Sequence, residues 1–202
     1  MSHASDTFEA TVSALKRGEV AVFPTETVYG VGVAVACAPS PDILFEVKRR
    51  EKRKPISWLI SEQEDLLRYG AGVPEFARVL ARTFWPGPLT LVVKASSLVP
   101  SAFMSREGTI GLRMPNNECA LSLIEAVGCP LATTSANVSG LAPTCSFDQL
   151  DGQILARVAA VLSDGDDSAK SGVSSTVVDC TGDHPQIMRE GAITIADIRA
   201  LS

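Results

Sequence analysis

"EVAVFPTETVYGVG", residues 19–32, starts as an almost unbroken apolar run, passes through Pro-Thr-Glu-Thr, and leaves through two glycines that frame a valine. The run is short, rich in β-branched residues and stopped by a proline, which predicts a buried strand. A strand that opens into a polar turn is where α/β proteins hold ligands, just past the carboxyl ends of their strands. If the backbone stays extended after Pro24, Thr25 and Thr27 lie on one side and Glu26 on the other, and two hydroxyls address one small polar ligand. Gly30 and Gly32 would let backbone come close to that ligand. The same residues read equally well as a polar turn whose glycines supply positive φ. The pair is not a dinucleotide fingerprint, because the third glycine and the helix start are missing.

Working outward, Asp6 with Glu9 suggests a capping box, and Phe8, Val12 and Leu15 recur at helical spacing until Gly18. "PDILFEVKRR" predicts a helix capped near Asp42, with Ile43, Leu44 and Val47 inward. "ISWLI" is a strand, "EFARVLARTF" a helix with Phe76, Val79, Leu80 and Thr83 on one side, and "WPGP" ends it. "LTLVVK" and "TIGLRMP" are strands, the second alternating Ile110 and Leu112 with Gly111 and Arg113. "ECALSLIEAVG" is a helix stopped by Gly128, and "CPLATTSAN" is a strand opening into a loop. "FDQLDGQILARVAAVLSDG" holds a helix and then a strand, while "SSTVVDCTG" and "QIMREGAIT" are two short strands. Strands alternating with amphipathic helices make an α/β chain, with no internal repeat and no linker, hence one domain over residues 1–202.

With 46% apolar and 20% charged residues the chain can build a real core. No apolar run nears the roughly 20 residues of a membrane span, and the first residues have neither a basic nor an apolar leader region, so a cytoplasmic location is expected. Five scattered cysteines without C-x-x-C suggest neither a disulfide framework nor a zinc site. Only His3 and His184 are present, which leaves little material for a histidine metal centre or a catalytic triad. A net charge of −5 argues against a protein that coats nucleic acid.

Against that acidic balance stands "KRREKRK", residues 48–54, in which Glu51 is the single interruption. Read alone, these are cations at a helix C-terminus, favoured by the macrodipole. An extended path beyond the helix would turn Lys48, Arg50, Lys52 and Lys54 to one face, a layout suited to a polyphosphate. "LATTSANVSG" sets Ser135 and Asn137 at alternate positions, a hydroxyl beside a carboxamide, although Ser/Asn/Gly loops are common. Arg113 in "GLRMP" offers a planar fork for a carboxylate or phosphate, or sits at an edge in a surface ion pair. Ser175, Thr176 and Arg189 are individually unremarkable.

In this order, "VAVFPTETVYGVG", Lys48-x-Arg50, "WPGPLTLVV", "GLRMP", "TSANVSG", "SSTVVD" and "MREGAI" resemble the YrdC/Sua5 family, over roughly residues 10–195. The resemblance implies a twisted, largely open α/β sheet with flanking helices around a large concave cavity. It implies threonylcarbamoyl-AMP synthesis for the adenosine modification of certain tRNAs: L-threonine, bicarbonate and ATP give L-threonylcarbamoyladenylate, pyrophosphate and water. A carbamate oxygen attacks the α-phosphorus, so the main demand is to gather several anions in line, and cations with hydroxyls suffice. By resemblance Lys48, Arg50, Lys52, Thr109, Ser135, Asn137 and Arg189 meet ATP, with Lys48, Arg50, Ser135 and Asn137 nearest the reaction. Thr25, Tyr29, Arg113, Thr133 and Ser175 form the threonine pocket, and Mg2+ accompanies ATP. A tRNA-modifying transferase complex receives the product, with weak RNA contact as a further partner and no membrane.

The sequence departs from the family pattern at Glu51, where the family has a proline, at Ser174 in place of a glutamate, and at Leu59 in place of a histidine. Three rivals differ from the synthase. An RNA-binding module would use the basic cluster, and acidic charge with few aromatics weighs against it. A carbamoyl-adenylate transferase like that of hydrogenase maturation factors would carry neighbouring acylphosphatase and zinc-finger segments. A silent paralogue that binds nucleotide or RNA would lack Lys-x-Arg or Ser-x-Asn, and both are present here.

Overall fold

A computed structural model describes residues 6–48 and 56–201. Arg50, Lys52 and Lys54, together with Glu51, fall outside the described residues.

Among the described residues nine strands form one mixed sheet in the order β7-β1-β2-β6-β3-β5-β4-β8-β9. They are β1 (Ala21–Phe23), β2 (Gly30–Ala34), β3 (Ser57–Leu59), β4 (Leu89–Lys94), β5 (Thr109–Arg113), β6 (Leu131–Ser135), β7 (Ala160–Val161), β8 (Thr176–Asp179) and β9 (Gln186–Arg189). The helices are α1 (Phe8–Lys16), α2 (Asp42–Lys48), α3 (Asp65–Tyr69), α4 (Glu75–Phe84), α5 (Glu118–Val127), α6 (Gly152–Leu155) and α7 (Ile195–Arg199). The expected α/β class and open sheet with flanking helices are what the chain forms.

Period-two alternation sorts the strands into two faces. Val22, Val31, Val33, Ala132, Trp58, Ile110, Leu112, Leu89, Leu91, Val93 and Val178 point to one, where Leu44 and Val47 of α2, Leu66 of α3 and Leu80 of α4 pack on them. The opposite face is divided. Near β1, β2 and β6 it carries Ala21, Phe23, Ala34 and Leu131, covered by Leu15 of α1 and Leu123, Ile124 and Val127 of α5. Farther along, the residues at the same alternation are polar or small: Thr133, Ser57, Gly111, Arg113 and Thr90. One face is therefore a continuous core, while the other is half core and half chemistry.

The two glycines of the opening motif serve the sheet. Neither Gly30 nor Gly32 is among the positive-φ glycines, and both lie inside β2. A Cβ on Gly32 would sit 2.8 Å from Ala132 O and from Thr133 Oγ1, and 3.1 Å from the Phe23 ring. The close approach they permit is of strand to strand and ring, so the sequence expectation of a ligand there, and that of a positive-φ turn, both give way. Gly32→Ala is expected to cost about 1–3 kcal/mol through overpacking; a urea titration would show a lower midpoint at unchanged slope.

Several local expectations are corrected by packing. Asp6 does not cap α1: its backbone N–H donates to Val161 O and its carboxylate accepts from Val161 N, lengthening the β7 edge, while Thr7 Oγ1 caps by accepting from Ala10 N at 3.2 Å. In α2 Phe45 turns inward and Ile43 is exposed. The buried stripe of α4 is Ala77, Leu80 and Ala81, with Thr83 exposed. Helices α3 and α7 were not anticipated, although Thr194 and Asp197 form a reciprocal capping box at α7 that the spacing T-x-x-D could have flagged.

Candidate functional site

The segment after β1 is a bend across residues 26–28 and joins β1 to β2 as a hairpin connection. The expected extended path is replaced by a turn that Thr25 closes. Its Oγ1 donates to Val28 O at 2.6 Å, lies 2.9 Å from Thr27 Oγ1, and accepts from the backbone N–H groups of Thr27 and Val28. Both threonines are buried. Backbone bonds tie the loop down: Ser171 N donates to Glu26 O, Gly172 N to Thr27 O, and Tyr29 N to Thr144 O.

The bend brings Thr27 and Glu26 together over the polar half of the sheet. Arg113 Nη2, at the end of β5, donates to Thr27 Oγ1 at 2.9 Å and lies 2.8 Å from Glu26 Oε1. Arg113 is 7% exposed on a central strand, so the alternative of an edge residue in a surface ion pair does not hold. Arg189 projects from β9 to the same face. Its Nε and Nη2 donate to Ser175 O at 3.1 and 2.7 Å, and Ser175 Oγ meets Thr90 Oγ1 at 2.9 Å. Burial pulls the Arg189 guanidinium below its ordinary pKa, and the positive field of Arg113 pulls it further. Two cations that feel each other on a dehydrated face are better tolerated when an anion lies between them.

A second group forms at the far end of β6. Lys48, the last residue of α2 and 2% exposed, directs Nζ to Ser135 O, to Ser135 Oγ at 3.3 Å and to Asn137 Oδ1 at 3.1 Å. Ser135 Oγ donates to Asn137 Oδ1, and Asn137 Nδ2 donates to Leu141 O, which fixes the carboxamide. The Ser-x-Asn spacing and Lys48, separated by more than eighty residues of sequence, thus share one contact set.

The other residues singled out from the sequence are placed as follows. Thr133 lies on the polar face, level with Ser57 and Gly32, and its hydroxyl donates to Leu131 O. Thr109 starts β5 at the end of the sheet where Ser135 ends β6, and its hydroxyl is bonded to Ser105 Oγ at 2.8 Å. Ser175 Oγ also accepts from Arg189 Nη2 at 3.2 Å. Leu59 is a core residue beneath α5, so that departure from the family pattern has a packing role; the Ser174 backbone carbonyl accepts from Ala192 N, a bond that does not depend on the side chain.

Tyr29 is fully buried, and its hydroxyl donates to Asp167 Oδ1 at 2.8 Å. Burial is the first cause of its raised pKa, with the neighbouring carboxylates adding to it. Behind the ring lies a cluster that the sequence reading missed. Lys170 Nζ contacts Asp164 Oδ1 at 2.7 Å and Asp167 Oδ1 at 3.1 Å, and stands 5.0 Å from the Tyr29 ring centre. Asp167 also accepts from Phe147 N, and Asp164 accepts from Asn117 Nδ2. The acidic spacing in "SDGDDSAK" looks like a solvated loop; only the fold reveals that it closes over Lys170 and leads directly into Ser171 and Gly172, which hold Glu26 and Thr27. Lys170→Met should destabilise by roughly 3–5 kcal/mol by leaving carboxylates without their cation. Its thermal midpoint should fall by on the order of 10 °C, with a smaller fall in the Lys170→Met variant that also carries Asp164→Asn and Asp167→Asn.

Among the described residues no set of three His, Cys, Asp or Glu side chains is placed to hold a metal ion. What the arrangement does offer is hydroxyls and the cations Arg113 and Arg189 on the polar half of one sheet face, and at the C-terminal end of β6 a further cation, Lys48, beside a hydroxyl and a carboxamide.

Comparison with known proteins follows the same lines. The Sua5/YciO/YrdC family profile, described as "Telomere recombination", matches residues 13–191. A threonylcarbamoyl-AMP synthase of Pyrococcus abyssi is 35% identical over 184 residues, covering 91% of this chain and 54% of the relative. A threonylcarbamoyl-AMP synthase of Vibrio parahaemolyticus is 34% identical over 164 residues, covering 78% of this chain and 86% of the relative. The crystal structure of P. abyssi Sua5 complexed with L-threonine superposes with a TM-score of 0.89 at 33% identity, over 96% of this chain and 56% of that one. The chain therefore spans about half the length of the archaeal relative and most of the Vibrio one, and it belongs to the Sua5/YciO/YrdC family.

Proposed function

We propose that this protein is a threonylcarbamoyl-AMP synthase, converting L-threonine, bicarbonate and ATP to L-threonylcarbamoyladenylate, pyrophosphate and water. The observation that carries this reading is the buried Lys48 ammonium set against Ser135 and Asn137, on a sheet whose polar face also presents Arg113 and Arg189. Catalysis here is chiefly a matter of holding mutually repelling anions in line, which fixed cations and hydrogen-bond donors in a water-poor site do well. Lys48, joined by Arg50 and Lys52, meets the phosphates. Ser135 and Asn137 flank the reacting centre, Arg189 holds the nucleotide from the β9 side, and Thr109 lies along the nucleotide's path. Arg113 takes the threonine carboxylate, in a pocket made with Thr25, Thr133, Ser175 and the Tyr29 wall. The names of the relatives, and the threonine held by the P. abyssi protein, support the substrate choice.

Mg2+ belongs in this reading to the substrate, as Mg·ATP, held by triphosphate oxygens. The product passes to a tRNA-modifying transferase complex. No helix among the described residues is long and apolar enough to cross a membrane, and we place the reaction in the cytoplasm. Purified protein should release pyrophosphate from ATP only when L-threonine and bicarbonate are both present, and the adenylate should appear by mass. Pyrophosphate release that ignores threonine would overturn the choice of substrate, and nucleotide binding with no turnover would overturn the assignment in favour of a silent nucleotide-binding relative.

A further inference from the structure

Glu26 is the residue of the opening motif that neither the sequence reading nor the proposed reaction uses. Its two carboxylate oxygens are completely buried and accept no hydrogen bond. Arg113 Nη2 lies 2.8 Å away but makes its hydrogen bond to Thr27 Oγ1, and the buried Nε has no acceptor among the described residues. The pair is thus an ion pair by distance without the directed bonds that normally offset the desolvation of two charges. Its surroundings cannot relieve it, since the Thr25 hydroxyl donates its hydrogen to Val28 O, which leaves the Thr27 hydroxyl as donor in the 2.9 Å bond between the two threonines. A carboxylate with open lone pairs beside a guanidinium with an open N–H is complementary to a ligand that carries one anion and one cation on neighbouring atoms. An α-amino acid zwitterion is such a ligand, and it adds no net charge to a neutral buried pair.

We infer that Glu26 is the ammonium-binding and specificity-determining residue of the amino-acid site, accepting from the substrate's α-ammonium group while Arg113 takes its carboxylate. This rests on the reading of threonine as substrate. It resolves a difficulty of that reading, because Arg113 and Arg189, which feel each other's field, would otherwise confront the ammonium with two cations of its own sign. It also accounts for the anchoring of the loop, whose Glu26 and Thr27 carbonyls are held by Ser171 N and Gly172 N: the carboxylate is held in place before the ligand arrives.

The test is calorimetric binding of L-threonine and of (R)-3-hydroxybutanoate, which keeps the carboxylate and β-hydroxyl and lacks the amine, to wild type and Glu26→Gln, with ATP binding as the control for folding. Glu26→Gln should weaken threonine by roughly 10–100-fold and leave the analogue within about threefold. Equal loss for both ligands would mean that Glu26 only positions Arg113, and unchanged threonine affinity would remove it from the site; either overturns the inference while the synthase reading stands. A wild-type protein that turns over ATP but binds no threonine overturns both. Should Glu26→Gln fail to retain ATP, the wild type decides: an analogue at least tenfold weaker than threonine supports the ammonium site, and equal affinities refute it.

Discussion

Lys48→Ala is expected to lower kcat/KM for ATP by a factor on the order of 10²–10³, the usual cost of deleting one fixed charge-stabilising donor from a water-poor site. Lys48 is 2% exposed and its Nζ is gathered among Ser135 O, Ser135 Oγ and Asn137 Oδ1, so the charge lost is a desolvated one and solvent cannot replace it. The same deletion takes away a donor shared by Ser135 Oγ and Asn137 Oδ1, and the two effects fall on the same step. Lys48→Arg is not expected to restore activity, because a planar fork does not fit where a compact ammonium reaches several oxygens at once. Binding of L-threonine without nucleotide should change by less than about twofold, since the bonds of Lys48 to Ser135 and Asn137 and those of Arg113 to Thr27 and Glu26 have no residue in common. Steady-state kinetics with ATP varied, beside threonine calorimetry, checks both halves. A fall below threefold in kcat/KM, or an equal loss of threonine affinity, would remove Lys48 from the phosphate site.

Arg113→Ala raises the threonine requirement by on the order of 10²-fold, because truncating one partner of a buried charge contact leaves the other unpaired as well as deleting the bond to the ligand. Arg113 is 7% exposed and within 2.8 Å of Glu26, so its loss also strands the carboxylate, with an expected stability cost of about 3–5 kcal/mol. The two consequences separate in the double variant Arg113→Gln with Glu26→Gln. Neutralising both partners should recover most of the stability, as replacement of a whole buried pair usually does, while threonine affinity stays low. Chemical denaturation and threonine-dependent pyrophosphate release make the comparison. A single variant that keeps its threonine dependence but binds ATP weakly would show that Arg113 belongs to the nucleotide instead.

Much of this site was legible in the chain because its parts obey short-range rules. Ser135 and Asn137 had to lie close together wherever they were, being two residues apart at a strand end, and the structure finds them bonded. Ile110 and Leu112 were expected to alternate with Gly111 and Arg113, and they do, the apolar pair in the core and Gly111 with Arg113 on the polar face. Glu26 and Lys170 were illegible for the opposite reason. The period-two rule sent Glu26 away from Thr25 and Thr27, and it failed because the Thr25 hydroxyl closes a bend that an extended chain does not contain. Lys170 sits in what reads as a soluble acidic loop, and its burial depends on Tyr29 and Asn117, far away in sequence. Ile43 and Thr83 went astray on a finer scale, since helical spacing defines a stripe but only the neighbouring sheet decides which edge of it is covered.

The amino-acid sequence by itself determined the strands, the α/β class and the chemical kinds of group available, because hydrophobic period, turn residues and hydroxyl spacing act over a few bonds. The tertiary structure alone decided that Lys48 reaches Ser135, that Arg113 faces Glu26, and that Arg189 comes under the field of Arg113. Those encounters depend on the order of strands in the sheet and on which half of one face two helices leave uncovered, and no local propensity encodes either.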